Sequence, residues 1–171
     1  NAANSNSQYS GMGTTLVVGV FLDDRVLLGH IGDSRVYRLR GRQLEQITKD
    51  HSLLQEQIDA GLISPEQAAT ALHKNLVTRA LGVEDGVMLE VNEHMVEPGD
   101  LYLMCSDGLS DMIDDAAIAL VLDSDASLPQ KAIQLIENAN AGGGRDNISV
   151  LLAQAGESPP RRGLISRWLG K

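Results

Sequence analysis

Between residues 14 and 48 the chain holds four short apolar runs, joined in pairs by two polar residues. That rhythm commits its front half to antiparallel β-structure. Residues 14–22 and 25–31 flank Asp23-Asp24, and residues 36–40 and 43–48 flank Gly41-Arg42. Val17, Val18, Val20 and Val26 favour extended backbone, because β-branched side chains pack well on a pleated surface. A two-residue connection joins antiparallel strands; a parallel pair needs a crossover of about a dozen residues or more. Val36-Tyr37-Arg38-Leu39-Arg40 alternates with period two, as expected of a strand with one wet face. Aromatic residues make up only 3% of the chain, so the core between such strands has to be aliphatic.

The pattern changes at Asp50. Leu53, Leu54, Gln57 and Ile58 recur at helical spacing over 52–60, and Gly61 is a natural stop. Ser64-Pro65-Glu66-Gln67 places Ser at an N-cap, Pro at the first helical position and Gln two places on. It predicts a helix to about His73. With a short segment at 75–81, residues 51–81 read as a helical insertion between strands. The spacing then predicts a strand over 87–96, a turn at Glu97-Pro98-Gly99-Asp100 and a strand over 101–106. Helices follow over 113–122 and 128–139, the second introduced by Ser127, with a last strand over 148–153. Gly142-Gly143-Gly144 forces an irregular loop. The run 101–105 is continuously apolar and 148–152 is mostly so, and both are expected to be buried on both faces. Hairpins with helices in blocks describe an α+β fold with antiparallel sheets.

Three aspartates share one placement. Asp33 follows Gly32 after an apolar run, Asp107 follows Ser106 after another, and Asp146 stands just before a third. Asp111 lies four residues after Asp107, so one helical turn puts both carboxylates on one face. Singly, each also fits an ordinary turn or helix cap. Together, carboxylates on loops at strand ends suit a hard cation such as Mg or Mn. Histidine offers no rival site: His30, His51, His73 and His94 lack zinc-type spacing, and His30 reads as a satisfied core residue. No Walker-type phosphate loop or Gly-x-Ser-x-Gly elbow is present.

Cys105, the only cysteine, reads as a buried thiol in an apolar run. The absence of a possible internal disulfide suits a reducing, cytoplasmic setting. A net charge of -9 argues against nucleic acid as a partner, since phosphate neutralisation needs Lys and Arg. No apolar run approaches the roughly 20 residues that span a bilayer, and no basic-then-apolar leader is visible.

An ordered set of motifs over about residues 9–155 resembles the metal-dependent protein phosphatases of the type-2C (PPM) family. The set begins with Gly11-Met12-Gly13-Thr14-Thr15, then Gly32-Asp33-Ser34-Arg35, then Thr48-Lys49-Asp50-His51-Ser52. Thr78-Arg79-Ala80-Leu81-Gly82, Pro98-Gly99-Asp100, Ser106-Asp107-Gly108-Leu109 and Gly144-Arg145-Asp146-Asn147-Ile148 complete it. Each motif alone is weak; their order is specific. The resemblance implies an antiparallel β-sandwich flanked by helices. It implies Asp107 and Asp146 as ligands of two catalytic Mn or Mg ions, and Asp33, Asp107 and Asp111 as a third site. Asn147 would support the Asp146 loop. No side chain is assigned a covalent role: a metal-activated water would hydrolyse phosphoserine and phosphothreonine in proteins, opposite a Ser/Thr kinase.

The family's Asp-Gly-x-Gly-Gly motif and its phosphate-binding Arg are not among these residues. The expectation is therefore a phosphatase domain over 1–156 that lacks its N-terminal strands. It would hold about half of the metal ligands, leave sheet edges open, and catalyse weakly or not at all alone. A non-catalytic regulatory or binding module is the alternative. Residues 51–81 would be a flap over the substrate cleft. Residues 157–171 form a basic amphipathic tail, with Arg161, Arg162, Arg167 and Lys171 beside Leu164, Ile165, Trp168 and Leu169. It is too short for a stable isolated helix and is read as docked on its own domain or disordered, with membrane contact as the alternative.

Overall fold

A computed structural model describes residues 6–64, 67–68, 76–83 and 86–156. It has two antiparallel sheets. The smaller has the order β1 (Leu16–Phe21), β2 (Arg25–Ile31), β5 (Glu90–Met95). The larger has the order β4 (Gln43–Gln46), β3 (Arg35–Arg40), β6 (Leu101–Cys105), β7 (Val150–Gln154). Both expected hairpins form: Phe21 pairs with Val26 across Asp23-Asp24, and Arg40 with Gln43 across Gly41-Arg42. The second turn carries both central residues at positive φ, Gly41 at 52° and Arg42 at 68°, the primed geometry that matches strand twist.

The two faces of β3 and β6 bury into different cores, which explains the unbroken apolar run at 101–105. Val36 and Tyr102 join Val26, Leu28 and Ile47 between the sheets, with Val17, Met104 and Ala153 packed against them. Tyr37, Leu39, Leu101, Leu103 and Cys105 point the other way. They meet α2 (Asp107–Ser110), α3 (Asp115–Leu122) and α4 (Leu128–Ala141) through Leu109, Ile118, Leu122 and Leu135. The layers are thus sheet, sheet and helices, held by aliphatic burial at about 25 cal/mol per Å². Burial pushes the Cys105 thiol up to about 12, as expected of an inert core cysteine.

Several boundaries move. The strand expected from residue 87 begins at Glu90, and Met88 is exposed. The helix expected from residue 113 begins at Asp115, because the Asp114 side chain caps it by accepting from the Ala117 N–H. The last strand begins at Val150, and burial of 148–152 on both faces is corrected. β7 is a sheet edge, and Leu151 is 54% exposed. Of the helix expected over 64–73, only Ser64, Gln67 and Ala68 are described. There Ser64 N–H donates to Gln67 Oε1 and Gln67 N–H to Ser64 Oγ, the reciprocal capping box. The tail at 157–171 lies outside the described residues. Among those described, β1 pairs only with β2. The side chains of Val18 and Val20 on β1 are exposed.

The Pro98-Gly99-Asp100 turn is fastened to β3. Asp100, 1% exposed, accepts from Arg40 Nε at 2.7 Å, Arg40 Nη2 at 2.6 Å, the Glu97 N–H at 2.9 Å and the Tyr102 hydroxyl at 3.2 Å. Burial alone would raise the Asp100 carboxyl, but these donors, Arg40 foremost, hold it below its ordinary value. Asp100→Ala strands these donors and is expected to cost about 3 kcal/mol at pH 7. A depressed carboxyl contributes its stability above its unfolded value of about 4 and loses it as pH falls through the folded one. Denaturant melts should therefore show the wild-type advantage shrinking below about pH 4; an advantage that is flat with pH contradicts the assignment.

Candidate metal centre

Antiparallel pairing brings the aspartate-bearing loops to one end of the sandwich. Arg35, Cys105 and Val150 lie in one row across β3, β6 and β7. The loop entering β3 carries Asp33, the exit of β6 leads to Asp107, and the entry to β7 carries Asp146. Asp107 opens α2, and Asp111 is its C-cap residue. The expected grouping of Asp33, Asp107, Asp111 and Asp146 at one rim follows from register.

Local chemistry holds each loop. Gly32 sits at φ 102°, and a Cβ there would lie 2.3 Å from the Thr15 side chain; only glycine lets β2 turn beneath Thr15. On the far side of Asp33, Ser34 Oγ hydrogen-bonds Thr15 Oγ1 at 2.9 Å. Ser106 stitches the other two loops together. Its N–H donates to Ser149 O at 3.1 Å, its hydroxyl donates to Asn147 O at 3.0 Å, and Ser149 N–H donates to the same hydroxyl at 3.0 Å. Asp146 Oδ1 accepts from the Asn147 N–H at 2.7 Å, and Asp107 Oδ1 accepts from the Gly108 N–H at 2.8 Å. What the structure shows of Asn147 is thus main-chain support.

The rim is short of positive charge. Burial raises the Asp33 carboxyl, and the Asp107, Asp50 and Asp111 charges add to it. Burial also raises Asp107; the Gly108 N–H opposes, and Asp146 and Asp111 reinforce the rise. The nearby guanidinium is engaged elsewhere. Arg35 donates through Nε and Nη2 to Asp50 at 2.7–3.0 Å. Burial would lower Arg35, but the Asp50 carboxylate outweighs this and holds it raised. Among the described residues no ion pair reaches Asp33, Asp107 or Asp146. The oxygen donors of Asp33, Asp107 and Asp146, close enough for their charges to interact and with no ion pair to any of the three among the described residues, fit a hard divalent cation.

The aspartates do not close into a tight cage. Among the described residues, the trio of potential ligands whose donor atoms lie within 4.8 Å of one another is His30, His51 and Glu90. This corrects the expectation that histidine offers no rival cluster. Linear spacing missed it because β2, residue 51 and β5 meet only in the fold. His30 is also only half satisfied. Its Nε2 bonds Lys49 O at 2.8 Å, while its buried Nδ1 has no partner. The Asp50-His51-Ser52 motif was the available signal.

The insertion over 51–81 hangs from a closed base. Ser52 and Val77 form an antiparallel bridge, Leu53 N–H donates to Leu76 O at 2.9 Å, and Thr78 N–H donates to His51 O at 2.8 Å. Within it, α1 (Leu53–Asp59) is capped by Ser52.

A family model described as Protein phosphatase 2C matches residues 1–144. The protein phosphatase PhpP of Streptococcus pneumoniae is 40% identical over 149 residues, covering 87% of this chain and 61% of that protein. The serine/threonine phosphatase stp of Listeria monocytogenes is 41% identical over 152 residues, covering 89% and 60%. The crystal structure of the Mycobacterium tuberculosis serine/threonine phosphatase PstP/Ppp superposes with a TM-score of 0.86 at 40% identity, covering 91% of this chain and 65% of that one. The catalytic domain of PstP in complex with two manganese ions superposes with a TM-score of 0.82, covering 91% and 64%. The chain thus spans less than two thirds of the length of these relatives.

Proposed function

The chain belongs to the protein phosphatase 2C family, and from that premise we propose that it serves metal-dependent hydrolysis of phosphoserine and phosphothreonine in proteins. The observation that carries the reading is the pair Asp33 and Asp107. They stand at the ends of strands from different sheets, both raised by burial and by their neighbours' negative charge. In this reading Asp107 and Asp146 hold the catalytic ions, Asp33, Asp107 and Asp111 hold a third, and Asn147 supports the Asp146 loop. The ions are Mn or Mg; manganese in the similar PstP structure supports the metal class. When bound, such ions supply charge neutralisation and an activated water at phosphorus. The chain's own groups fix positions: Gly32 makes the turn that leads into Asp33, and Ser106 locks the Asp107 and Asp146 loops together.

The same reading takes residues 1–156 as the phosphatase domain, 51–81 as a flap over the substrate cleft and 157–171 as a basic tail. It places the protein in cytoplasmic signalling opposite a Ser/Thr kinase. No described helix is long and apolar enough to cross a membrane.

The test is phosphate release from a phosphothreonine peptide in manganese buffer, with Asp107→Asn beside the wild-type chain. Slow turnover that vanishes in the variant supports the reading, and turnover indifferent to the variant refutes it. If neither turns over, the assay is repeated on a polypeptide extended to the relatives' length. Silence there too would favour a non-catalytic binding module.

A further inference from the structure

The His30–His51–Glu90 cluster, with both histidines buried and Glu90 about a third exposed, touches the loop that carries Asp33, and its hydrogen bonds decide what it can do. His51, 6% exposed, grips Gly32 at two points. Its backbone N–H donates to Gly32 O at 2.9 Å, and Gly32 N–H donates to its Nδ1 at 3.2 Å. A backbone N–H can only donate, so Nδ1 is the bare nitrogen and a neutral ring carries its proton on Nε2. That Nε2 lies 3.0 Å from Glu90 Oε2, a carboxylate that only accepts. Asn92 Nδ2 in turn donates to Glu90 Oε1 at 3.0 Å. His51 Nε2 therefore cannot ligate a cation without losing one of these bonds, and the trio is not a metal site in this arrangement. The stacked His30 ring, 4.6 Å away and inclined by 21°, fixes the plane of His51. His30 itself is tied through Nε2–H to Lys49 O at 2.8 Å.

We propose that His51, oriented by Glu90 and by the stacked His30, is a positioning residue for Asp33. It holds the Gly32 amide and so sets where the next carboxylate meets the cation. Gly32 needs such an anchor because its backbone lies in the left-handed region, at φ 102°. The His51 imidazole supplies the acceptor that a neighbouring strand would otherwise give the Gly32 N–H. The arrangement parallels the hydrogen bonds behind a metal ligand that fix its orientation, here acting on the ligand's backbone. The inference rests on the reading of Asp33 as a cation ligand.

The test compares three single variants of the chain and the combination of two of them. His51→Phe keeps a ring without an acceptor. His51→Asn restores an oxygen near the Nδ1 position. Asp33→Asn removes the ligand. Two quantities are read: hydrogen exchange of the Gly32 amide without metal, and Mn²⁺ affinity from the electron paramagnetic resonance signal of free Mn²⁺. His51→Phe is expected to speed Gly32 exchange about tenfold relative to Leu28 in β2. It is expected to weaken Mn²⁺ binding about tenfold, with His51→Asn recovering most of both. In an Asp33→Asn background the His51→Phe loss should fall below about twofold, as coupling through Asp33 requires. Should His51→Phe not fold, Glu90→Ala leaves the ring in place but unanchored and should weaken Mn²⁺ binding about threefold. The proposal is overturned if Asp33→Asn weakens Mn²⁺ binding while the His51 and Glu90 variants do not. It is overturned equally if the His51 loss is the same with and without Asp33. Unchanged binding in Asp33→Asn alone sinks the ligand reading itself, a result distinct from either of these.

Discussion

Replacing Asp107 with Asn is expected to stabilise the metal-free chain while removing most of the stabilisation that Mn²⁺ gives the wild type. Asp107 is raised by burial and by the Asp146 and Asp111 charges. The sign follows from linkage. A carboxyl raised on folding costs stability once ionised, so the metal-free fold gains stability as pH falls through the raised value and loses it as pH climbs. Asn has no such charge and keeps the metal-free gain at pH 7. A bound cation reverses the balance. At Mn²⁺ one hundred times its dissociation constant, the wild type should gain about 2.7 kcal/mol. A variant weakened about a hundredfold should gain only about 0.4 kcal/mol. At roughly 2–4 °C per kcal/mol for a chain of this size, scanning fluorimetry with and without Mn²⁺ separates the two. An Asp107→Asn variant that melts lower than wild type without metal, or gains as much with it, contradicts the account.

The second large effect is expected at Gly108. A Cβ there would lie 2.4 Å from Asn147 O and 3.0 Å from Asn147 C. Both are backbone atoms of the loop that holds Asp146, so no flexible side chain can yield. Gly108→Ala must push the start of α2 away from that loop or break the Ser106–Asn147 hydrogen bond at 3.0 Å. Overpacking of this kind costs about 1–3 kcal/mol. Because the displaced segments carry Asp107 and Asp146, Mn²⁺ affinity should fall about tenfold as well. Denaturant melts and a Mn²⁺ titration on one preparation read both effects. Wild-type stability with wild-type affinity would show that the two loops are not packed as described.

Both effects rest on residues that the sequence makes visible, and the reason is local chemistry. An Asp-Asp turn between β-branched runs and a Gly-Arg turn after an alternating run leave little choice but hairpins. Aspartates beside glycine at the ends of apolar runs mark strand ends before any pairing is known. Register then follows from burial, since a one-residue slip would turn Val36 and Tyr37 into each other's cores. What stayed hidden depends on position within the sheets. The run at 148–152, with Ile148, Val150, Leu151 and Leu152, is nearly as apolar as that at 101–105, yet β7 is an edge and β6 is central. Nothing within the run itself states that difference. The start of α3 was obscured because Ile113 continues the apolar periodicity that Asp114 ends. The His51–Glu90 contact joins residues 39 positions apart, and only the pairing of β2 with β5 brings Glu90 to the same face. His30 and Glu90 are register partners there, a fact that spacing along the chain does not contain.

The central claim is that a divalent cation binds at the aspartate rim. The most direct measurement is paramagnetic broadening of backbone amide signals by substoichiometric Mn²⁺ on the ¹⁵N-labelled chain. The account predicts that the signals of Asp33, Asp107, Asp111 and Asp146 and their immediate neighbours vanish first and together. Strands distant from the rim, such as β4, should stay sharp. Broadening centred on His30 and Glu90, or spread evenly over the acidic surface, would contradict it.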